Sequence, residues 1–316
     1  MFKKVSYYLT NPVYVILTAV ICSVLWGSAF PVLKISYLEL GLESTDFFSK
    51  ILLAGMRFFL ASLMLFTLLK IVLKESLKIE KKLMLELALL GVLQTSLQFF
   101  FFYNGLANTS GMKAAILTSI GTFFVVILAH YIYHNDKMNY RKALGLTIGF
   151  AGIFLANWGE GFSLQFSFLG EGFLTLAGLV GAFGTILAKR LSRNIHPFLV
   201  TGWQMFVGSS LLIVLGLAGT KGTFLQFTPK AWILLFYAAF LSATAFSLWY
   251  SLLKYNKAGE ISLYRFMIPV AGSFLSVIFL PEDYFTLNKL LALILVVGGI
   301  IAVNKKESKH TRAIKE

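Results

Sequence analysis

The chain lacks most of what soluble chemistry is built from. One cysteine, Cys22, among 316 residues excludes an internal disulfide and a multi-thiol metal site, and leaves the redox compartment unread. Four histidines offer one suggestive pair, His130 and His134 at i,i+4, which reads as an interfacial pair rather than a metal site. Charged residues make up only 13% of the chain, so a soluble domain is excluded: 58% of residues are hydrophobic and mean hydropathy is +0.78. Phosphate-cradling loops, metal clusters and nucleophile–base arrangements are missing as well, which argues against an enzyme and implies no cofactor. Acid is scarce where it would matter for proton coupling. Glu86, Glu171 and Glu260 fall near the starts of apolar runs, where solvation or the helix dipole accounts for them.

What is present is apolar length. A bilayer core of roughly 30 Å takes about 20 mostly apolar residues per helix. Ten runs qualify, near 12–34, 49–73, 83–106, 111–132, 142–157, 169–189, 198–219, 231–253, 260–280 and 287–303, with the fifth and tenth short. Their continuity, without ten-residue alternation, predicts helices and not a barrel. The basic start followed by an apolar core imitates a signal peptide, but no small-residue cleavage site precedes WGSAF, so the first run is read as an uncleaved helix.

Basic residues outnumber acidic ones by 28 to 14, and they are sorted by loop. With the N-terminus inside, 20 of the 28 fall in cytoplasmic segments, from Lys3 and Lys4 through Lys137, Lys142, Lys189 and Lys254 to the tail. That asymmetry follows the positive-inside rule and places both termini in the cytoplasm. The basic tail reads as a solvated end drawn to lipid headgroups rather than a nucleic-acid site.

The two halves repeat each other. At a constant offset of 147, Gly55 lies over Gly202, Phe59 over Phe206, Ser62 over Ser209, Asp136 over Asp283, Lys142 over Lys289, Gly152 over Gly299 and Asn157 over Asn304. Chance likeness between apolar strings supplies leucines and isoleucines; it does not readily supply Asp, Lys, Asn and Gly in one ungapped frame. Five helices is an odd number, so the second copy enters the membrane inverted, as in many secondary transporters. The expected fold is therefore all-α and membrane-embedded, with ten transmembrane helices as two inverted five-helix repeats, residues 1–157 and 158–304, and a tail over 305–316.

WGSAFPVLK in the first run, MRFFLASLML in the second and the paired ends GLTIGFAGIFLAN and ALILVVGGIIAVN resemble the EamA-type ten-helix permeases of the drug/metabolite transporter superfamily. The resemblance covers essentially the whole chain. It implies a central cavity lined by helices 1, 3, 4, 6, 8 and 9, and outward movement of small metabolites such as amino acids, nucleotide-linked compounds or organic cations. The chain departs from the family at Thr122, where the repeat has Pro269, and at HND (134–136) in place of Gly-Glu, so subfamily and substrate stay open.

Candidate site residues are polar, aromatic or backbone-bending groups inside the runs. Gly27 and Pro31 read as a close helix approach and a bend; Trp26 and Ser28 read equally as substrate contacts or helix packing. Arg57 would be costly unless it faced the bundle or a wet cavity, and a structural role at a helix break is favoured. Arg265, in a predicted lining helix, reads as facing either the substrate path or the protein. Pro269 reads as a bend or gate. Gln94 with Gln98, and Thr118 with Thr122, share helix faces at i,i+4 and could orient a ligand or glue helices together. Trp249 is the preferred aromatic wall, with Trp203, Tyr103, Tyr250 and Tyr264 as further options. Lys34 should snorkel to the outer interface.

The expectation is a secondary transporter, an exporter or exchanger of neutral, zwitterionic or carboxylate-bearing metabolites by alternating access in the cell membrane. A channel or sensor-like membrane protein is the alternative. The expected partners are the small-molecule substrate and the lipid bilayer, with a homodimer left open.

Overall fold

The computed structural model describes residues 7–43, 45–109, 111–156, 166–220, 225–280 and 287–304. These residues are helical throughout apart from short connections, and no strand occurs among them. Ten long helical segments follow one another: α1 Pro12–Glu39, α2 Phe47–Val72, α3 Lys81–Leu106, α4 Gly111–Ile132, α5 Tyr140–Ala156, α6 Phe168–Asn194, α7 Pro197–Gly219, α8 Pro229–Tyr255, α9 Ala258–Phe279 and α10 Leu287–Asn304. Seven of these (α1, α2, α3, α6, α7, α8 and α9) are long and apolar enough to cross a membrane; Leu117–Ile132 within α4 and Leu287–Ile301 within α10 are shorter apolar helices.

Their starts follow local chemistry. Asn11, His196 and Thr228 cap α1, α7 and α8 with side-chain acceptors, and each is followed by a proline in the first turn. Proline fits there because it brings a fixed φ and lacks only an N–H that would have no helical partner.

Four helices depart from regular α geometry, α2 in a closing π segment over Leu68–Val72. The ladder of α3 widens to a π segment over Val92–Leu97, and α6 begins with one over Phe168–Gly172. In α9 a short α segment, Ala258–Ser262, gives way to a 3₁₀ turn over Leu263–Phe266 before the helix resumes at Met267. Pro269 has no N–H to offer the carbonyl of Arg265 one turn back, which accounts for an irregular segment just there. Its repeat counterpart Thr122 sits in an uninterrupted helix, α4. Pro31, by contrast, lies inside an α1 that stays helical to Glu39.

Small residues let the backbones close up. A Cβ on Gly27 would come within 2.8 Å of the Gly272 nitrogen and 2.9 Å of the Ile268 oxygen, so α1 crosses α9 only because that side chain is missing.

Two helix pairs touch reciprocally. In the antiparallel pair α2 and α7, Gly55 packs on Leu212 and Ile213 while Gly202 packs on Phe66, and the Phe59 and Phe206 rings meet at 5.6 Å. In α5 and α10, Gly152 packs on Ala292, Leu295 and Val296 while Gly299 packs on Gly145, Ile148 and Gly149. In both pairs, Gly55 and Gly202 or Gly152 and Gly299 differ by 147, and so do the residues they touch.

One end of the bundle carries buried, paired charge. Asp136, after α4, accepts the Gly259 N–H at the start of α9 and pairs through its other oxygen with Lys142; both side chains are 2% exposed or less. Lys142 also donates to the Lys137 carbonyl, and Lys189 of α6 donates to the carbonyls of Leu253 and Asn256. These two lysines, expected in cytoplasmic loops, are buried because neighbouring chain ends supply acceptors for them.

Candidate functional site

Between the helices lies a chamber of about 150 Å³, roughly ten times the space a single water needs. Its wall comes from the six helices that the family resemblance implied: Trp26, Ala29, Phe30 and Leu33 of α1, Gln94, Gln98, Phe99 and Phe102 of α3, Thr118, Ser119, Gly121 and Thr122 of α4, Leu174, Ala177, Gly178, Gly181 and Thr185 of α6, Phe246, Trp249 and Tyr250 of α8, and Arg265, Ile268 and Pro269 of α9. Helix α2 adds Arg57.

Each polar group is positioned by an identifiable local feature. The π segment of α3 carries Gln94 and leads into Gln98; the Gln94 amide nitrogen donates to Gln98 Oε1 at 2.6 Å, and Gln94 Oε1 has no partner. Both amides press on glycines of α6, Gly184 and Gly181, where any Cβ would collide with them. Arg57 Nε donates to the Ala238 carbonyl at 3.1 Å and to Ser242 Oγ at 2.8 Å, so α8 anchors it. Arg265 rides on the 3₁₀ turn before Pro269. It neighbours Tyr250, whose hydroxyl donates to Gln204 Oε1, and makes no hydrogen bond or ion pair among the described residues.

The aromatic wall is a chain of edge contacts. The Trp26 ring meets Phe246 at 5.1 Å and Trp249 at 5.3 Å, and Phe58 behind the wall joins Phe99 at 4.4 Å to Phe246 at 6.5 Å. The Trp26 indole N–H is buried without an acceptor.

Of the residues singled out as substrate contacts, the chamber gathers Trp26, Gln94, Gln98, Thr118, Thr122, Trp249 and Arg265; Ser28 and Tyr264 lie outside its lining. Ser28 bonds the Leu25 carbonyl and the Tyr237 hydroxyl, joining α1 to α8. Tyr264 is buried, its hydroxyl without a hydrogen-bond partner among the described residues, and its backbone oxygen accepts from Ser23. Of the structural set, Arg57 and Pro269 line the chamber, Gly27 packs α1 on α9, and Pro31 is buried within α1. Trp203 and Tyr103 are also outside it; Trp203 donates to the Leu77 carbonyl at the Asp136 end of the bundle. Phe99, Phe102, Phe246 and Thr185 were not singled out in advance. A phenylalanine in an apolar run carries no mark of which side faces a chamber, and only the i,i+4 spacing of Phe102 from Gln98 pointed to a shared face.

A mixed polar and aromatic chamber inside a bundle of membrane-length helices defines a membrane transport protein. The comparisons supply the family: the model of the EamA-like transporter family matches residues 13–158 and 168–305, and the chain belongs to that family. It is 25% identical over 298 residues to YoaV of Bacillus subtilis, described as an uncharacterized transporter, covering 91% of this chain and 96% of that one. It is 26% identical over 218 residues to a WAT1-related chloroplastic protein of Arabidopsis thaliana, covering 66% of this chain and 51% of that one. A solved crystal structure shares the fold at a TM-score of 0.75 and 14% identity, covering 96% of this chain and 99% of its own.

Proposed function

We propose that the protein is a secondary transporter of small metabolites, an exporter or exchanger, that works by alternating access in the cell membrane with both termini cytoplasmic. The observation that carries this reading is the chamber itself, walled by helices from both halves of the chain and lined by hydrogen-bonding groups that a lipid-facing surface would not hold.

The alternating-access part rests on repetition. Reciprocal contacts in α2–α7 and α5–α10 are what a two-fold axis perpendicular to antiparallel helices produces. For helices that cross a bilayer, such an axis lies in the membrane plane and makes residues 1–157 and 158–304 inverted repeats, followed by the tail over 305–316. Two matches of one family model, one in each half, support the same division. Exchange of conformation between two such halves would turn the chamber from one side to the other. The sorting of basic residues supports the orientation.

Neutral, zwitterionic or carboxylate-bearing metabolites, amino acids among them, fit a lining that, among the described residues, has two arginines and no carboxylate. Counterflow tests the reading. In proteoliposomes, unlabelled substrate inside should accelerate uptake of labelled substrate. Uptake that ignores the opposite side, or saturates nowhere, would make the protein a channel and remove alternating access.

A further inference from the structure

The wall of the chamber has hydrogen-bond donors and positive charge to spare at one level. Ser23 Oγ donates to the Tyr264 carbonyl at 3.1 Å, and Gly27 packs on the Ile268 carbonyl. Residues 23–27 of α1 therefore run beside 264–268 of α9, which brings Trp26 and Arg265 to the same height in the wall. Neither side chain has an acceptor among the described residues. Arg57 is different, since α8 already accepts from its Nε.

Donors without acceptors are costly in a low-dielectric interior, and a cation without a counter-charge more so. Both deficits are removed by one kind of guest, an oxyanion. A planar carboxylate matches the fork of a guanidinium through two parallel charge-assisted bonds and has lone pairs left for an indole N–H. An ammonium group finds the opposite environment. Among the described residues two fixed cations line the chamber, and no aspartate or glutamate does. The rest of the guest would lie on Phe246, Trp249 and Phe99, which offer apolar faces.

We infer that the substrate is a small organic carboxylate with an apolar body and no ammonium group, its carboxylate held between Arg265 and the Trp26 indole N–H. This deepens the carrier reading and rests on it, and it separates simple organic acids from the amino acids that the charge count alone leaves equal.

Four probes matched on one hexyl body test it: hexanoate, its α-amino derivative norleucine, hexanamide and hexylamine, titrated calorimetrically into the full chain in non-ionic detergent. Hexanoate is expected to bind about tenfold or more tightly than each of the others, the scale of one charge-assisted hydrogen bond. Arg265→Gln should bring hexanoate down to the level of hexanamide, and Arg265→Lys should keep part of the preference. Trp26→Phe, which retains the aromatic ring and removes the N–H, should weaken hexanoate by about threefold and leave hexanamide unchanged. Circular dichroism confirms that each variant is folded.

Equal or tighter binding of norleucine or hexylamine overturns the inference, as does hexanoate affinity that survives Arg265→Gln, or the absence of binding by all four. Carriage fails separately. Selective hexanoate binding without counterflow would sink the transporter reading and leave the charge preference standing, whereas counterflow that favours norleucine would do the reverse.

Discussion

The Asp136 end of the bundle and the chamber both bury charge inside an apolar protein, and they treat it in opposite ways. At the Asp136 end each group is answered: Asp136 by Lys142 and the Gly259 N–H, Lys142 by Asp136 and the Lys137 carbonyl, Lys189 by two carbonyls. In the chamber, Arg265 and the Trp26 N–H are unanswered among the described residues, while Arg57 is tied to α8 through Nε and lies over the Phe58 ring. Complete answering fits a fastening that holds α4, α5 and α9 together in this conformation. Incomplete answering fits a place kept for something absent from the chain. Burial alone therefore does not separate structure from recognition; the state of the partners does.

The strongest way to break this contrast is to remove an answering group. Asp136→Ala leaves Lys142 buried without its counter-charge, and loss of one partner from a buried pair costs about 3–5 kcal/mol. Thermal unfolding in detergent should show a clear fall in midpoint. Adding Lys142→Met to that variant should recover much of the loss, because two apolar groups replace two charges, although the Gly259 N–H stays unanswered. If Asp136→Ala unfolds at the parent's temperature, the fastening is not one.

In the chamber the same operation should move activity and spare stability. Arg265→Gln is expected to abolish transport and Arg265→Lys to reduce it by about tenfold through loss of the fork, in a reconstituted assay at matched folded levels. Thermal midpoints should stay level or rise, since the replaced charge had no partner. The exposed Lys34→Gln serves as a control with little effect on either measure. A large fall in midpoint for Arg265→Gln would place Arg265 with the fastening and erase the distinction. Arg57 should fall between the two, with Arg57→Gln costing about 1–3 kcal/mol for its bonds to α8 and lowering transport at the same time.

How far these regions could be read in advance differs for a physical reason. The helical runs were legible to within a few residues, because continuous apolarity over membrane length has one common outcome; α5 was expected at 142–157 and runs over Tyr140–Ala156. Glutamines, threonines, tryptophans and arginines inside apolar runs stood out for the same reason, being expensive there. Which helix face they occupy was not legible. Ser28 turned to Tyr237 and Tyr264 into the core because of how α1 meets α8 and α9, and that depends on contacts between distant segments. Asp136 and Lys142 were visible as repeated residues, yet only the fold shows that they pair and that they reach α9.

The gentlest test of the contrast is pH, acting on the same end of the bundle as Asp136. His196 caps α7: its Nδ1 accepts the Phe198 N–H at 3.3 Å, which requires a neutral imidazole at that nitrogen. Burial holds its pKa below the ordinary 6.5, with Lys254 lowering it further and Glu75 opposing. Between the folded value and 6.5 the unfolded chain then binds more protons than the folded one, so stability is full above that window and is lost as pH falls through it. The thermal midpoint of the parent should drop between about pH 7.5 and about pH 5.5 by more than that of His196→Asn, which keeps a capping acceptor and does not titrate. Carriage at the chamber contains no such group, so Arg265→Gln should leave this pH dependence of stability intact. Equal drops in the parent and in His196→Asn would mean that the cap does not answer the Phe198 N–H in the way the geometry requires.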